Sequence, residues 1–212
     1  MNNGLFIAFE GIDGSGKSTQ AKHLAHKMEA HGHLVHLTFE PTDGRIGQLI
    51  RKILKGEVKA DERVIAALFT ADRLDHLLNE TNGIVKKLKE GYHVITDRYY
   101  FSSYAYNGNH LSMDWVIHAN SLSAEILRPD LTVFIDVAPE TCMERIMANR
   151  EGIEHYETLD NLISVRSKYY EAFDLLQSEE KIWKVNGDGE TEVITNEIWR
   201  KIDSLLEKNN TD

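Results

Sequence analysis

Residues 11–19 read Gly-Ile-Asp-Gly-Ser-Gly-Lys-Ser-Thr, directly after the apolar run Leu5-Phe6-Ile7-Ala8-Phe9 and directly before a segment of helical periodicity. The spacing is G-x-x-x-x-G-K-S, and its flanks commit this part of the chain to a strand, a tight glycine loop and a helix in succession. Gly11, Gly14 and Gly16 have no Cβ, so the loop backbone can curl and turn its N–H groups toward an anion. The helix that starts near Lys17 adds unpaired N–H groups and the positive end of its dipole. Lys17 can reach β- and γ-phosphates, and the Ser18 hydroxyl can ligate Mg²⁺. The stretch Gly11, Ile12, Asp13, Gly14, Ser15, Gly16, Lys17, Ser18 and Thr19 therefore predicts a nucleoside triphosphate site, against the plainer alternative of a glycine turn.

Size and composition limit what surrounds this loop. The 212 residues suit one α/β domain with room for a short lid, and 42% apolar content provides for a packed core. The net charge of −10 argues against a free nucleic-acid binder, which usually carries a basic face. A single cysteine, Cys142, allows no internal disulfide and reads as a small core residue rather than a nucleophile. Neither a signal peptide nor a membrane-spanning run is recognisable, so the expectation is a protein of a reducing compartment, the cytoplasm, with no membrane partner.

Four further apolar runs, 33–39, 92–96, 131–137 and 182–185, have strand character. The β-branched, nearly continuous runs at 92–96 and 131–135 fit strands covered on both faces. Between the runs, helical periodicity covers 17–30, 46–55, 61–89, 113–127, 139–149, 159–177 and 191–208. Asp61 is placed to cap one helix and Gly91 to end it. In the last segment Val193, Ile194, Ile198, Ile202, Leu205 and Leu206 form an apolar stripe expected to pack on the sheet. The alternation predicts a three-layer, doubly wound, parallel five-stranded sheet flanked by helices, with ligands at the carboxyl ends of the strands.

The residues after the strands therefore carry the candidate chemistry. Asp97 can hold Mg²⁺ through water, orient an acceptor phosphate, or make an ordinary strand-end salt bridge. Arg98 offers a rigid fork for phosphate oxygens. Phe69 and Arg73 share a helix face, as a ring and a guanidinium for one nucleotide or as a core Phe and a solvated Arg. The stretch 139–157 leads from a helix carrying Arg145 into a polar, glycine-containing segment around Arg150, which fits either a basic lid over residues 149–157 or a solvated loop. His23 and His26 are three residues apart, but no carboxylate or cysteine completes a metal set beside them.

In this order the pieces resemble the nucleoside-monophosphate kinases, and among them the thymidylate kinases. The resemblance runs over approximately residues 5–175. It rests on Phe9-Glu10-Gly11 leading into the P-loop, Leu68-Phe69 with Ala71-Asp72-Arg73, Asp97-Arg98-Tyr99 through Tyr106, and Arg128-Pro129-Asp130-Leu131 ahead of Phe134-Ile135-Asp136-Val137. It implies transfer of the γ-phosphoryl group of ATP·Mg²⁺ to dTMP in dTTP biosynthesis, and a homodimer. By the same resemblance Phe69 stacks on thymine, Arg73 and Arg98 hold the dTMP phosphate, and Asp97 acts near Mg²⁺. Tyr106 crowds the sugar 2′ position, Ser102 or Ser103 faces the base, Glu40-Pro41 shapes the acceptor site, and Asp13 lies over the acceptor.

Two positions depart from the family pattern. Gly14 stands where one branch carries a catalytic P-loop arginine, so the lid has to supply that charge, with Arg150 as its source and Arg145 nearer the adenine. Phe39 precedes Glu40-Pro41 where many members have Arg. The alternatives at this stage are a kinase for another nucleotide or deoxynucleoside, and a regulatory P-loop NTPase.

Overall fold

The structure is a computed structural model and describes residues 4–149 and 158–209. Most of the expected lid, including Arg150 and His155, lies outside the described residues.

Five short apolar runs form the strands: β1 (Phe6–Glu10), β2 (Val35–Phe39), β3 (His93–Asp97), β4 (Leu131–Asp136) and β5 (Ile182–Asn186). They make one all-parallel sheet in the order β2-β3-β1-β4-β5. β1 is buried along its whole length, whereas the edge strands β2 and β5 are partly exposed. That gradient explains why the central runs are almost continuously apolar.

The helices are α1 (Lys17–Ala30), α2 (Arg45–Leu54), α3 (Glu62–Leu78), α4 (Ile84–Lys89), α5 (Tyr100–Tyr106), α6 (Met113–Ala119), α7 (Ser121–Ile126), α8 (Pro139–Asn149), α9 (Leu159–Leu176) and α10 (Thr191–Asn209). α1 packs on β1, β2 and β3 and against α10, which also contacts β5. In the α10 stripe Ile194, Ile198, Ile202 and Leu206 are buried and Leu205 is partly buried, but Val193 is turned to solvent. Asp61 caps α3, accepting the Arg63 N–H at 2.9 Å, and Gly91 has φ +87° just past α4. No helix of the described residues is long and apolar enough to cross a membrane.

Two expected long helices are each broken in the middle. The segment 61–89 divides because the Asn79 side chain folds back to accept the N–H groups of Thr81 at 2.9 Å and Asn82 at 3.4 Å. Gly83 closes that turn, where a Cβ would lie 2.5 Å from the Asn79 carbonyl oxygen. The segment 113–127 breaks at Asn120, whose buried amide donates back to the Val116 carbonyl at 2.9 Å and accepts a bond from Arg73. Periodicity alone sees neither break, because both are made by polar side chains. The short helix α5 was not among the expected elements. It is a continuous Tyr-Phe-Ser-Ser-Tyr-Ala-Tyr run with no strand alternation, buried against α9.

The topology fixes where chemistry can occur. The connections reverse direction at β1, opening a crevice at the carboxyl ends of β3, β1 and β4. Phe9 is in register with Asp97, and Glu10 with Phe134. The glycine loop after Glu10 is thereby brought beside Asp97-Arg98 and the end of β4.

Candidate active site

Residues 13–16 of the glycine loop line a cavity of about 740 Å³ together with Lys17, Ser18, Thr19, Gln20, Asp97, Arg98 and a group from the end of β4 to α10. Gly16 precedes α1 at φ +90°, and no side chain caps the helix, so its first N–H groups face the cavity without an internal acceptor. Gly14 has φ +81°, and a Cβ there would lie 2.4 Å from the Cys142 carbonyl oxygen. No arginine can therefore project from position 14 of this backbone. Cys142 itself is fully buried, and burial pushes its thiol up to about 12. It is packing, not a nucleophile.

Lys17 is 6% exposed and its ammonium stands 3.5 Å from the Asp13 carboxylate. Burial and the neighbouring Arg98 push its pKa down, against the attraction of Asp13, Asp97 and Glu10. Ser18 donates its hydroxyl proton to Asp97 Oδ2, while Asp97 Oδ1 is buried without a hydrogen-bond partner. A hydroxyl and a carboxylate with one open oxygen, beside the glycine loop, suit Mg²⁺, which takes few protein ligands and completes its shell with water and phosphate oxygens. Among the described residues no group of three or more His, Cys, Asp or Glu forms a cage for a metal.

Arg98 is the one described non-glycine residue with positive φ, at 76°. Such a backbone persists only where its surroundings over-determine it. The guanidinium donates to Ser102 Oγ at 3.0 Å, to Tyr106 Oη at 3.3 Å, to the Gly11 carbonyl at 3.4 Å and to Asp13, and stacks 4.9 Å above the Tyr106 ring. Tyr106 donates to Asp13 Oδ2 at 2.8 Å and accepts the Asp13 N–H at 3.1 Å. Burial opposes ionisation of Asp13, but Arg98, Lys17 and the Tyr106 hydroxyl outweigh it and hold the carboxyl well below the usual range. A buried and a partly buried cation thus converge on one small anion at the mouth of the P-loop.

Arg73 is placed otherwise than expected. It is 1% exposed, and all five of its N–H bonds are engaged: two with Glu40 at 2.9 and 2.7 Å, one each with Ser103 at 3.0 Å, the Tyr99 carbonyl at 3.1 Å, and Asn120. It is neither a solvated arginine nor a clamp with donors left for phosphate. It is the buried centre of a brace. Glu40 also meets His76 at 3.1 Å, and His76 reaches the Thr38 hydroxyl at 2.7 Å. One residue earlier on α3, Asp72 accepts the Thr42 N–H and hydroxyl, both at 2.7 Å. α3 therefore grips the end of β2 and the cis Glu40–Pro41 peptide from both sides. Phe69, four residues before Arg73, is half-buried on α3.

Ser102 and Ser103 need a similar correction. Both are buried, and their hydroxyls serve Arg98 and Arg73 rather than facing open space. Phe39 is exposed at the sheet edge, with the Arg51 guanidinium from α2 5.8 Å from its ring centre. Arg51 also donates to the carbonyls of Pro41 and Thr42, so an arginine reaches this corner from a different element. On the opposite side Arg145 donates to the Gly187 carbonyl at 3.2 Å and lines the cavity with Ile146, Gly189, Thr191 and Ile194. A flat cation over apolar walls suits a nucleobase. The brace residues His76 and Asn120 had no recognisable signal in the sequence, because neither lies in a spaced motif, and Asp72 lies within the Ala71-Asp72-Arg73 segment without its bracing role being readable from it.

Comparison with known proteins decides between the readings. Residues 9–198 match the family model described as thymidylate kinase. The chain belongs to the thymidylate kinase family. It is 40% identical over 169 residues to a probable thymidylate kinase of Caldivirga maquilingensis, covering 78% of each chain. With that of Pyrococcus horikoshii it shares 41% over 172 residues, 78% of this chain and 81% of the relative. With that of Thermococcus kodakarensis it shares 35% over 212 residues, 95% and 98% of the two chains. As a thymidylate kinase family member it is an ATP-dependent phosphotransferase acting on dTMP.

Proposed function

We propose that the P-loop holds the ATP phosphates and that Arg98, across Asp13, holds the phosphate of dTMP. The observation that carries this is the convergence of Lys17 and Arg98 on Asp13 beside Asp97, which puts positive charge on both sides of the point where two polyanions would meet. The acceptor oxygen is already anionic, so no strong general base is required. Catalysis rests on alignment and charge compensation. Mg²⁺, held by Ser18 and Asp97 with phosphate oxygens, would neutralise charge on the phosphates. Arg145 covers the adenine, Phe69 stacks on thymine, Tyr106 guards the sugar, and Glu40-Pro41 forms the acceptor wall braced by Arg73.

Because Gly14 cannot carry an arginine, Arg150 is proposed as the added cation over the transferring group, within a lid at 149–157 of a single kinase domain. The test is ADP release with ATP·Mg²⁺ and dTMP, dUMP, the ribose form of TMP, dCMP, AMP, GMP or thymidine. The expected order is dTMP first, with dUMP lower by roughly 10–200-fold in kcat/KM, since a methyl in an apolar pocket is worth about 1–3 kcal/mol. A dominant response to another acceptor would overturn the pocket assignment, and silence throughout would leave a nucleotide switch. The same assay on Arg150→Ala reads the lid assignment, which unchanged turnover would remove.

A homodimer of cytoplasmic location completes the proposal. Exposed Leu49 on α2, Val64 on α3, Trp115 on α6 and Leu122 on α7 lie on helices that pack on one another, with α3 touching the other three. Single exposed apolar residues are ordinary, but four on one helix layer fit a subunit contact. Sedimentation at micromolar concentration should give twice the 24.2 kDa chain mass, and a monomer there would reject it.

A further inference from the structure

Glu10, the last residue of β1, is completely buried and makes no direct ion pair among the described contacts. Its Oε1 accepts the backbone N–H groups of Tyr99 at 2.8 Å and Ser102 at 3.2 Å. Its Oε2 accepts the hydroxyl protons of Ser102 at 2.6 Å and Tyr169 at 2.8 Å. A buried carboxylate is costly unless its lone pairs are filled, and these four donors fill them. Burial still pushes the Glu10 pKa up, against Ser102, Arg98, Tyr169 and the Tyr99 N–H.

The consequence lies one bond further on. Ser102 has one proton, and its oxygen lies 2.6 Å from Glu10 Oε2, 3.0 Å from Tyr169 Oη and 3.0 Å from Arg98 Nη1. The carboxylate is the strongest acceptor of the three, and with the proton given to it the oxygen meets Arg98 with lone pairs only. We propose that Glu10 is a positioning residue: it fixes the direction of the Ser102 hydroxyl and so aims the Arg98 guanidinium at the acceptor phosphate. It also ties the residue before the P-loop to the start of α5, which holds the left-handed Arg98 backbone in place. This rests on the reading of Arg98 as the dTMP-phosphate ligand.

Glu10→Gln tests it with little change in volume. Its amide nitrogen would face Ser102 and Tyr169 as a donor, reversing the Ser102 hydroxyl and turning a proton toward Arg98. The expected result is a loss of about 10–100-fold in kcat/KM for dTMP, the scale of a small misplacement of a catalytic group. ATP affinity, measured by calorimetry without acceptor, should stay within about twofold, since its cradle is main chain and Lys17. Ser102→Ala should give a similar loss, and the double variant no more than either single one, because both act through one hydrogen bond. Additive losses, or a lower melting temperature with wild-type kcat/KM, would overturn the proposal and make Glu10 a helix cap only. If Glu10→Gln does not fold, Ser102→Ala alone decides, since it keeps the carboxylate and both backbone bonds to it; wild-type kcat/KM would then reject the relay. A wild-type enzyme inactive on dTMP would instead reject the functional reading itself.

Discussion

Lys17→Ala is expected to lose about 10²–10³-fold or more in turnover while remaining folded, on the scale of removing one aimed electrostatic group from a water-poor site. The reasons are burial and position. Lys17 is 6% exposed and its ammonium stands opposite Arg98 across Asp13, so its charge acts with little solvent screening. Folding should not depend on it, because burial already disfavours the charged form and Asp13 keeps its bonds to Arg98 and Tyr106. Steady-state ADP release and a thermal melt check the two halves. Near-normal turnover would remove Lys17 from the mechanism.

Arg73→Ala is expected to act mainly on stability, by about 3–5 kcal/mol, the cost of leaving one partner of a buried ion pair alone. The truncated side chain would abandon Glu40, Ser103, Asn120 and the Tyr99 carbonyl together. Against a total of about 5–15 kcal/mol this is a large fraction, and the melting temperature should fall by on the order of 10 °C. The sequence suggests a different outcome, a raised KM for dTMP with the fold intact. Denaturant melts and acceptor kinetics on one preparation separate the two. An unchanged melt with a raised KM would make Arg73 a ligand clamp after all.

The contrast between Lys17 and Arg73 shows what was legible. The glycine loop is local: nine consecutive residues set their own dihedrals, and the strand and helix beside them set its direction. Gly14, Gly16, Lys17 and Ser18 could be read in order, and so could the central strands, whose burial on both faces leaves continuous apolar runs. Asp97-Arg98 was legible because a parallel sheet delivers strand ends to one edge. The same local rule failed at Asn79 and Asn120, where side-chain hydrogen bonds to the backbone break helices that periodicity would continue.

The sequence by itself therefore determined the sheet, the glycine loop and the class of chemistry, since each rests on neighbours in the chain. Only the tertiary structure decided which polar side chains are tools and which are supports. Arg73 meets Glu40 across 33 residues and Asn120 across 47, and Glu10 meets Tyr169 across 159. No spacing rule encodes such distances. The fate of a buried donor or acceptor depends on which partners the fold brings within hydrogen-bonding reach, because a polar group removed from water must find one.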